Sequence, residues 1–118
     1  MNGMKLRVRQ VSYYVQVAGQ GEPLVLLHGF SGDVHTWTDI QAALAKKYQV
    51  IAVDILGHGR TDSPENFTRY KMEEVVQDLA EIFHKLKLTN VYLLGYSMGG
   101  RLALAFSLTY PEKVKHII

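Results

Sequence analysis

The chain has no cysteine among its 118 residues, which removes disulfide cross-links, thiolate nucleophiles and cysteine-held metals together. A chain without cysteine suits a reducing compartment, and the cytoplasm is the expected location. No stretch approaches the roughly 20 apolar residues that a membrane-spanning helix needs, so no membrane partner is expected. The first residues, Met1-Asn2-Gly3-Met4-Lys5-Leu6-Arg7, carry positive charge, but no apolar run long enough for a signal peptide follows them. Charge of one sign is scarce too. Thirteen Lys and Arg against eleven Asp and Glu leave a net charge of +2, and apart from Lys46-Lys47 these charges are scattered, so there is no nucleic-acid footprint. Nucleotide signatures are missing as well: Gly57-x-Gly59 lacks the third glycine of a dinucleotide fingerprint where Asp62 stands, and no Gly-Lys-Ser/Thr phosphate loop occurs. Internal repeats and low-complexity linkers are absent, which leaves one domain over residues 1–118.

What is present suffices for a core. Hydrophobic residues make up 47% of the chain and charged residues 20%, and a chain of this size buries roughly two-thirds of its unfolded surface. Leu6 and Val8, then Val11, Tyr13, Val15 and Val17, recur at period two, predicting a half-buried antiparallel hairpin that ends before Gly19-Gln20-Gly21-Glu22-Pro23. The pattern then changes. Leu24 to Leu27, Val50 to Val53, Val91 to Leu94 and Val114 to Ile118 are short continuous apolar runs, as expected of strands covered on both faces.

Helical spacing separates these runs. Trp37, Ile40 and Leu44 form one stripe ending at cationic Lys46 and Lys47. Met72, Val75, Val76, Leu79, Ile82, Phe83 and Leu86 form a longer one, with Glu73, Glu74, Asp78, Glu81 and Lys85 expected on the opposite face. A third helix runs through Leu102 to Phe106 and stops before Pro111. The alternation implies an α/β fold: an antiparallel hairpin leading into a mostly parallel sheet with flanking helices, and ligand chemistry at the carboxyl ends of the strands.

Two glycine-bearing loops fall at those ends. Gly95-Tyr96-Ser97-Met98-Gly99 has the Gly-x-Ser-x-Gly form of a sharp strand-to-helix turn, in which small neighbours let a strained serine stand up from the sheet. The Met98 backbone N–H, at the helix start, would face a developing oxyanion, and the Phe30 N–H in His28-Gly29-Phe30 would be the second donor. His28 reads as a structural hydrogen-bonding residue rather than a base. The segment from Asp54 to Pro64 is dense in turn formers and reads as a turn shaping the cleft floor. Arg101 follows Ser97 by one helical turn inside an apolar segment. An unpaired buried guanidinium is costly, so it is expected to reach the cleft and meet a carboxylate-bearing substrate, a structural salt bridge being the other reading. Tyr96 offers a hydroxyl to the same ligand or packs in the core.

Taken together, His28-Gly29-Phe30, Gly57-His58-Gly59 and Gly95 to Arg101 resemble the α/β-hydrolase-fold superfamily. Gly-Tyr-Ser-Met-Gly-Gly-Arg followed by Leu-Ala-Leu is similar to the SHCHC synthase family (2-succinyl-6-hydroxy-2,4-cyclohexadiene-1-carboxylate synthases), lyases that eliminate pyruvate in menaquinone biosynthesis. The resemblance implies that Ser97, with an Asp and a His, helps to abstract a proton, that an oxyanion hole holds the resulting charge, and that Arg101 binds substrate carboxylates. It implies no metal or organic cofactor. The resemblance covers the whole chain but about the first half of such an enzyme, so the reading is a partial core domain cut before the cap and before the triad Asp and His. In this fold those two follow the serine in chain order. Glu112 and His116 are expected at the opposite end of the sheet, and His28, His35, His58 and His84 precede Ser97, so none completes a triad. A generic serine hydrolase, and a non-catalytic fragment or binding module, stand as alternatives. Self-association through the Val114 to Ile118 strand, left as a sheet edge, is also expected.

Overall fold

The computed structural model describes residues 2–118. Met1, where the segment weighed as a leader begins, lies outside them. The hairpin is present: β1 (Asn2–Val8) pairs antiparallel with β2 (Val11–Ala18). After it come β3 (Glu22–Leu27), α1 (Thr38–Leu44), β4 (Tyr48–Val53), α2 (Met72–Lys85), β5 (Val91–Gly95), α3 (Met98–Thr109) and β6 (Val114–Ile117). Short 3-10 turns at Val34–Trp37, Phe67–Tyr70 and Pro111–Lys113 lead into α1, α2 and β6. The six strands form one sheet in the order β1-β2-β4-β3-β5-β6, with β4, β3, β5 and β6 parallel.

Alternation along each central strand divides the core in two. Val25, Leu27, Ile51, Val53 and Leu93 face α2 and α3, whereas Leu24, Leu26, Val50 and Ala52 face the α1 side. Because β3 and β4 are apolar on both faces, they take the middle of the sheet. Two elements depart from the predicted pattern. Of the predicted stripe, Trp37, which ends the 3-10 turn before α1, is buried and Leu44 packs half-buried on the same cluster, but Ile40 faces solvent and Gln41 takes its inward place. On α2, Asp78 is not on the solvent face: its exposure is 0%. It lies about 40° around the helix from Ile82, at the margin of the apolar stripe, where the N-terminal hairpin covers it.

That burial is tolerated because every oxygen of Asp78 is paired. The Tyr13 hydroxyl donates to Oδ2 at 2.6 Å, and Arg69 grips both oxygens at 2.8 and 2.6 Å. Arg9 adds a contact to Oδ1 at 3.2 Å while its other nitrogen holds Glu74 at 2.7 Å. Burial, reinforced by the Asp78 charge, pushes the Tyr13 phenol far above its ordinary range. Arg9 and Gln10, the turn of the hairpin, both have positive φ (48° and 70°) without being glycine, and the Arg9 ion pairs help to hold that strained turn in place.

The outermost parallel strand, β6, is half-buried at Val114 and exposed from Lys115 onward, and the outer stripe of α3 is apolar, with Leu104 and Leu108 exposed.

Two outcomes follow from this packing. Asp78→Ala leaves the Tyr13 hydroxyl and the Arg69 guanidinium unpaired and should lower unfolding stability in urea by roughly 3 kcal/mol. The open β6 edge and the Leu104 and Leu108 stripe should make the chain self-associate, so that sedimentation shows species heavier than 13.3 kDa. A monodisperse monomer that melts cooperatively would remove that expectation.

Candidate active site

Only Tyr96 and Ser97 separate β5 from α3, so two residues must reverse the chain from strand into helix. Ser97 takes the strain, with φ 54° and ψ −110°, a conformation that costs on the order of 1–3 kcal/mol. Bare neighbours make the reversal possible. A Cβ on Gly95 would sit 2.3 Å from the Gly99 carbonyl oxygen, and one on Gly99 would sit 2.0 Å from that of Leu27. Gly100 is looser, with 3.4 Å to its nearest neighbour, and has room for a methyl group. The Tyr96 N–H donates to the Leu27 carbonyl at 3.0 Å, which stitches the turn to the end of β3. Ser97 is therefore exposed at the carboxyl end of the sheet, and its hydroxyl does not cap the helix it begins.

The loop after β3 lies alongside. Gly29 sits under the Tyr96 ring, 2.9 Å from where its Cβ would be. His28 is fully buried; its Nε2 accepts the Ile55 N–H at 3.0 Å, so its Nδ1 carries the proton and donates to the Gly29 carbonyl at 2.7 Å. Burial holds its pKa below the usual imidazole value. His28 is thus a neutral brace between the loops after β3 and β4, as the sequence indicates.

The loop after β4 is held by Asp54. Its carboxylate accepts the Val34 N–H at 2.7 Å and the Arg60 N–H at 2.9 Å, and its carbonyl accepts the Thr61 hydroxyl at 2.6 Å. Gly59, at φ 53°, has no room for a Cβ, which would fall 2.2 Å from Asp54 Oδ2. The turn shapes a cleft floor, as its composition predicts.

Between these loops and the start of α2 lies a cavity of about 370 Å³, bordered by Phe30, Ile55, Leu56, His58, Met98 and Leu102, with Tyr70 and Met72 on its far wall. Phe30 and Met98 are thus brought together, and neither backbone N–H donates to another backbone group among the described residues. Tyr96 and Arg101 are not part of that lining. Tyr96 is 65% exposed and borders a separate shallow depression with Thr36, Trp37 and Ile118. Arg101 is exposed: the apolar residues around it in sequence form the outer stripe of α3 as well as its inner one, so they do not imply burial. Nor does it form a salt bridge among the described residues. Glu112 and His116 lie beside the earlier part of β5: Asn90 donates to the Glu112 carbonyl, and His116 stacks on Tyr92 at 5.8 Å. His58 precedes Ser97 in the chain and so does not qualify as the triad histidine, yet it borders the cavity. The glycines on either side of it, both at the carboxyl end of β4, were the available signal.

A strained serine between strand and helix, on a parallel sheet extended by an antiparallel hairpin, defines the class. The chain belongs to the α/β-hydrolase fold family, whose model matches residues 22–118. It is 50% identical over 97 residues to a Bacillus subtilis (strain 168) protein provisionally named 2-succinyl-6-hydroxy-2,4-cyclohexadiene-1-carboxylate synthase, a match covering 82% of this chain and 35% of that one. It is 40% identical over 100 residues to a proline iminopeptidase from Heyndrickxia coagulans, covering 85% of this chain and 35% of the relative. The solved structure of an epoxide hydrolase from Vigna radiata superposes with a TM-score of 0.95 at 26% identity, over 98% of this chain and 38% of that one. The chain therefore spans about a third of the length of these relatives, less than the half that the sequence suggested.

His28 gives the site a pH signature. Its folded pKa is depressed, so protons bind the unfolded chain more tightly. Stability is full above about pH 7, falls as pH drops through the ordinary imidazole value of about 6.5, and levels off below the depressed folded value. Thermal melts across that window should show the loss, and His28→Gln should flatten it.

Proposed function

We propose that this chain is the nucleophile-bearing part of a lyase of the SHCHC synthase type, which eliminates pyruvate from a carboxylated cyclohexene precursor. The observation that carries the reading is the strained Ser97 at φ 54° followed one turn later by Arg101, a cation without a salt-bridge partner among the described residues. The 50% identical Bacillus relative supports the same reaction. Ser97 works with a base supplied by polypeptide equivalent to the two-thirds of the relatives that the chain does not span. The base takes a proton from the substrate ring, the electron pair forms the new double bond, and the carbon–oxygen bond to the leaving pyruvate breaks. The Phe30 and Met98 N–H groups receive the oxyanion that develops in this step, and Arg101 and the Tyr96 hydroxyl hold substrate carboxylates at the rim. The location that goes with this reading is the cytoplasm, since the chain has no cysteine and no described helix is long and apolar enough to cross a membrane.

A serine hydrolase is the second reading. It is favoured by the cavity itself, whose lining holds no Arg or Lys and suits an uncharged, apolar substrate.

The enzyme containing this chain should release pyruvate from the SHCHC precursor, and Ser97→Ala should cut that rate by about a thousandfold or more. Efficient ester hydrolysis with the precursor left intact would establish the hydrolase instead. Arg101→Ala should raise KM for the carboxylated substrate about tenfold with little change in kcat; if both constants stay unchanged, Arg101 is a surface residue.

A further inference from the structure

Inside the cavity the chain presents its polar groups in a fixed arrangement. His58 is half-buried, and its Nδ1 lies 3.0 Å from the Leu56 carbonyl oxygen. A carbonyl only accepts, so Nδ1 carries a proton, and in the neutral ring Nε2 is left as a lone-pair acceptor. Among the described residues no hydrogen bond involves His58 Nε2, and the atom is not one of the buried unpartnered ones, so it is accessible, and His58 borders the cavity. The ring is also held in place. It meets the His28 ring at 5.0 Å and the Phe30 ring edge-on at 5.7 Å, and the backbone around it is fixed by Gly57 and Gly59 at φ 80° and 53°.

The other polar side chains of the lining are Ser63 and Tyr70, and the Tyr70 hydroxyl already donates to the Pro64 carbonyl at 2.7 Å. We propose that His58 is a specificity-determining residue that accepts a hydrogen bond from a hydroxyl on the ligand. The cavity then selects an apolar body carrying a hydroxyl donor toward the β4 loop and a carbonyl or oxyanion toward Phe30 and Met98. The inference rests on the reading of this cavity as the substrate site, but not on the lyase reaction.

The probes are phenol and anisole, of similar size, each with an oxygen that accepts and only phenol with one that donates. With histidine labelled by ¹⁵N, phenol should shift the His58 Nε2 resonance and anisole should not. Phenol should also bind about fivefold more tightly than anisole, the worth of one net hydrogen bond. His58→Phe keeps a ring against Phe30 and removes the acceptor, so the preference should fall to about one. Equal binding of the two probes by the wild type, or an unmoved His58 Nε2 resonance, overturns the proposal. So does a preference that survives in His58→Phe, which would place the acceptor on Ser63 or Tyr70. If His58→Phe does not fold, the labelled wild-type titration decides alone. Failure to release pyruvate with an intact phenol preference would remove the lyase reading and leave this one standing.

Discussion

The packing of α3 against the end of β3, with no side chain between them at Gly99, is the constraint on which the site depends. Were a methyl group interposed at Gly99, it would lie 2.0 Å from the Leu27 carbonyl oxygen, and α3 would have to back away from the sheet. Ser97 would then lose the geometry that forces its unfavourable φ, and Met98 would leave the cavity wall. The strain at Ser97 is thus sustained by core packing, with Leu102, Ala103 and Phe106 buried beneath the same helix.

Strand ends and loops divide the remaining work. Backbone amides are offered by the loops after β3 and β5, whereas the loop after β4 contributes shape and the His58 ring. Asp54 accepts the Val34 N–H and, at its carbonyl, the Thr61 hydroxyl, and His28 accepts the Ile55 N–H, so the inner polar groups of these loops are occupied, whereas the Phe30 and Met98 amides have no backbone partner among the described residues. A rigid, satisfied inner layer beneath an unsatisfied outer one is the arrangement that lets a site bind without first rearranging.

Periodicity made most of this legible in the sequence. The hairpin, the parallel strands and α2 announce themselves because burial on one or two faces leaves a repeat of two, a continuous run or a 3.6-residue stripe. Periodicity also marks its own boundary. Gln41 is buried and Ile40 exposed because a short helix preceded by a 3-10 turn starts with a different phase from the one its apolar residues suggest. Asp78 reads as solvent-facing because two of its three partners, Tyr13 and Arg9, on the hairpin that covers it, are 65 and 69 residues away, and no local window contains them. Arg101 illustrates the converse, since an apolar neighbourhood in sequence became an exposed face in space. The elbow was found for a different reason: its glycines are a steric requirement, written in residue type rather than in spacing.

The long reach of Asp78 bears on how the chain is made. The hairpin leaves the ribosome before α2, and Arg9 has neither of its partners until Glu74, 65 positions later, has been added. At 5–20 residues per second that interval is roughly 3–13 s, far longer than the microseconds in which a hairpin forms. Throughout it the Arg9-Gln10 turn lacks the pairing that holds its left-handed backbone. The antiparallel edge of the sheet therefore locks only when α2 arrives, and the same event draws in Arg69 and sets the Tyr70 wall of the cavity. Synthesis order makes the pocket wall and the sheet edge a single late step.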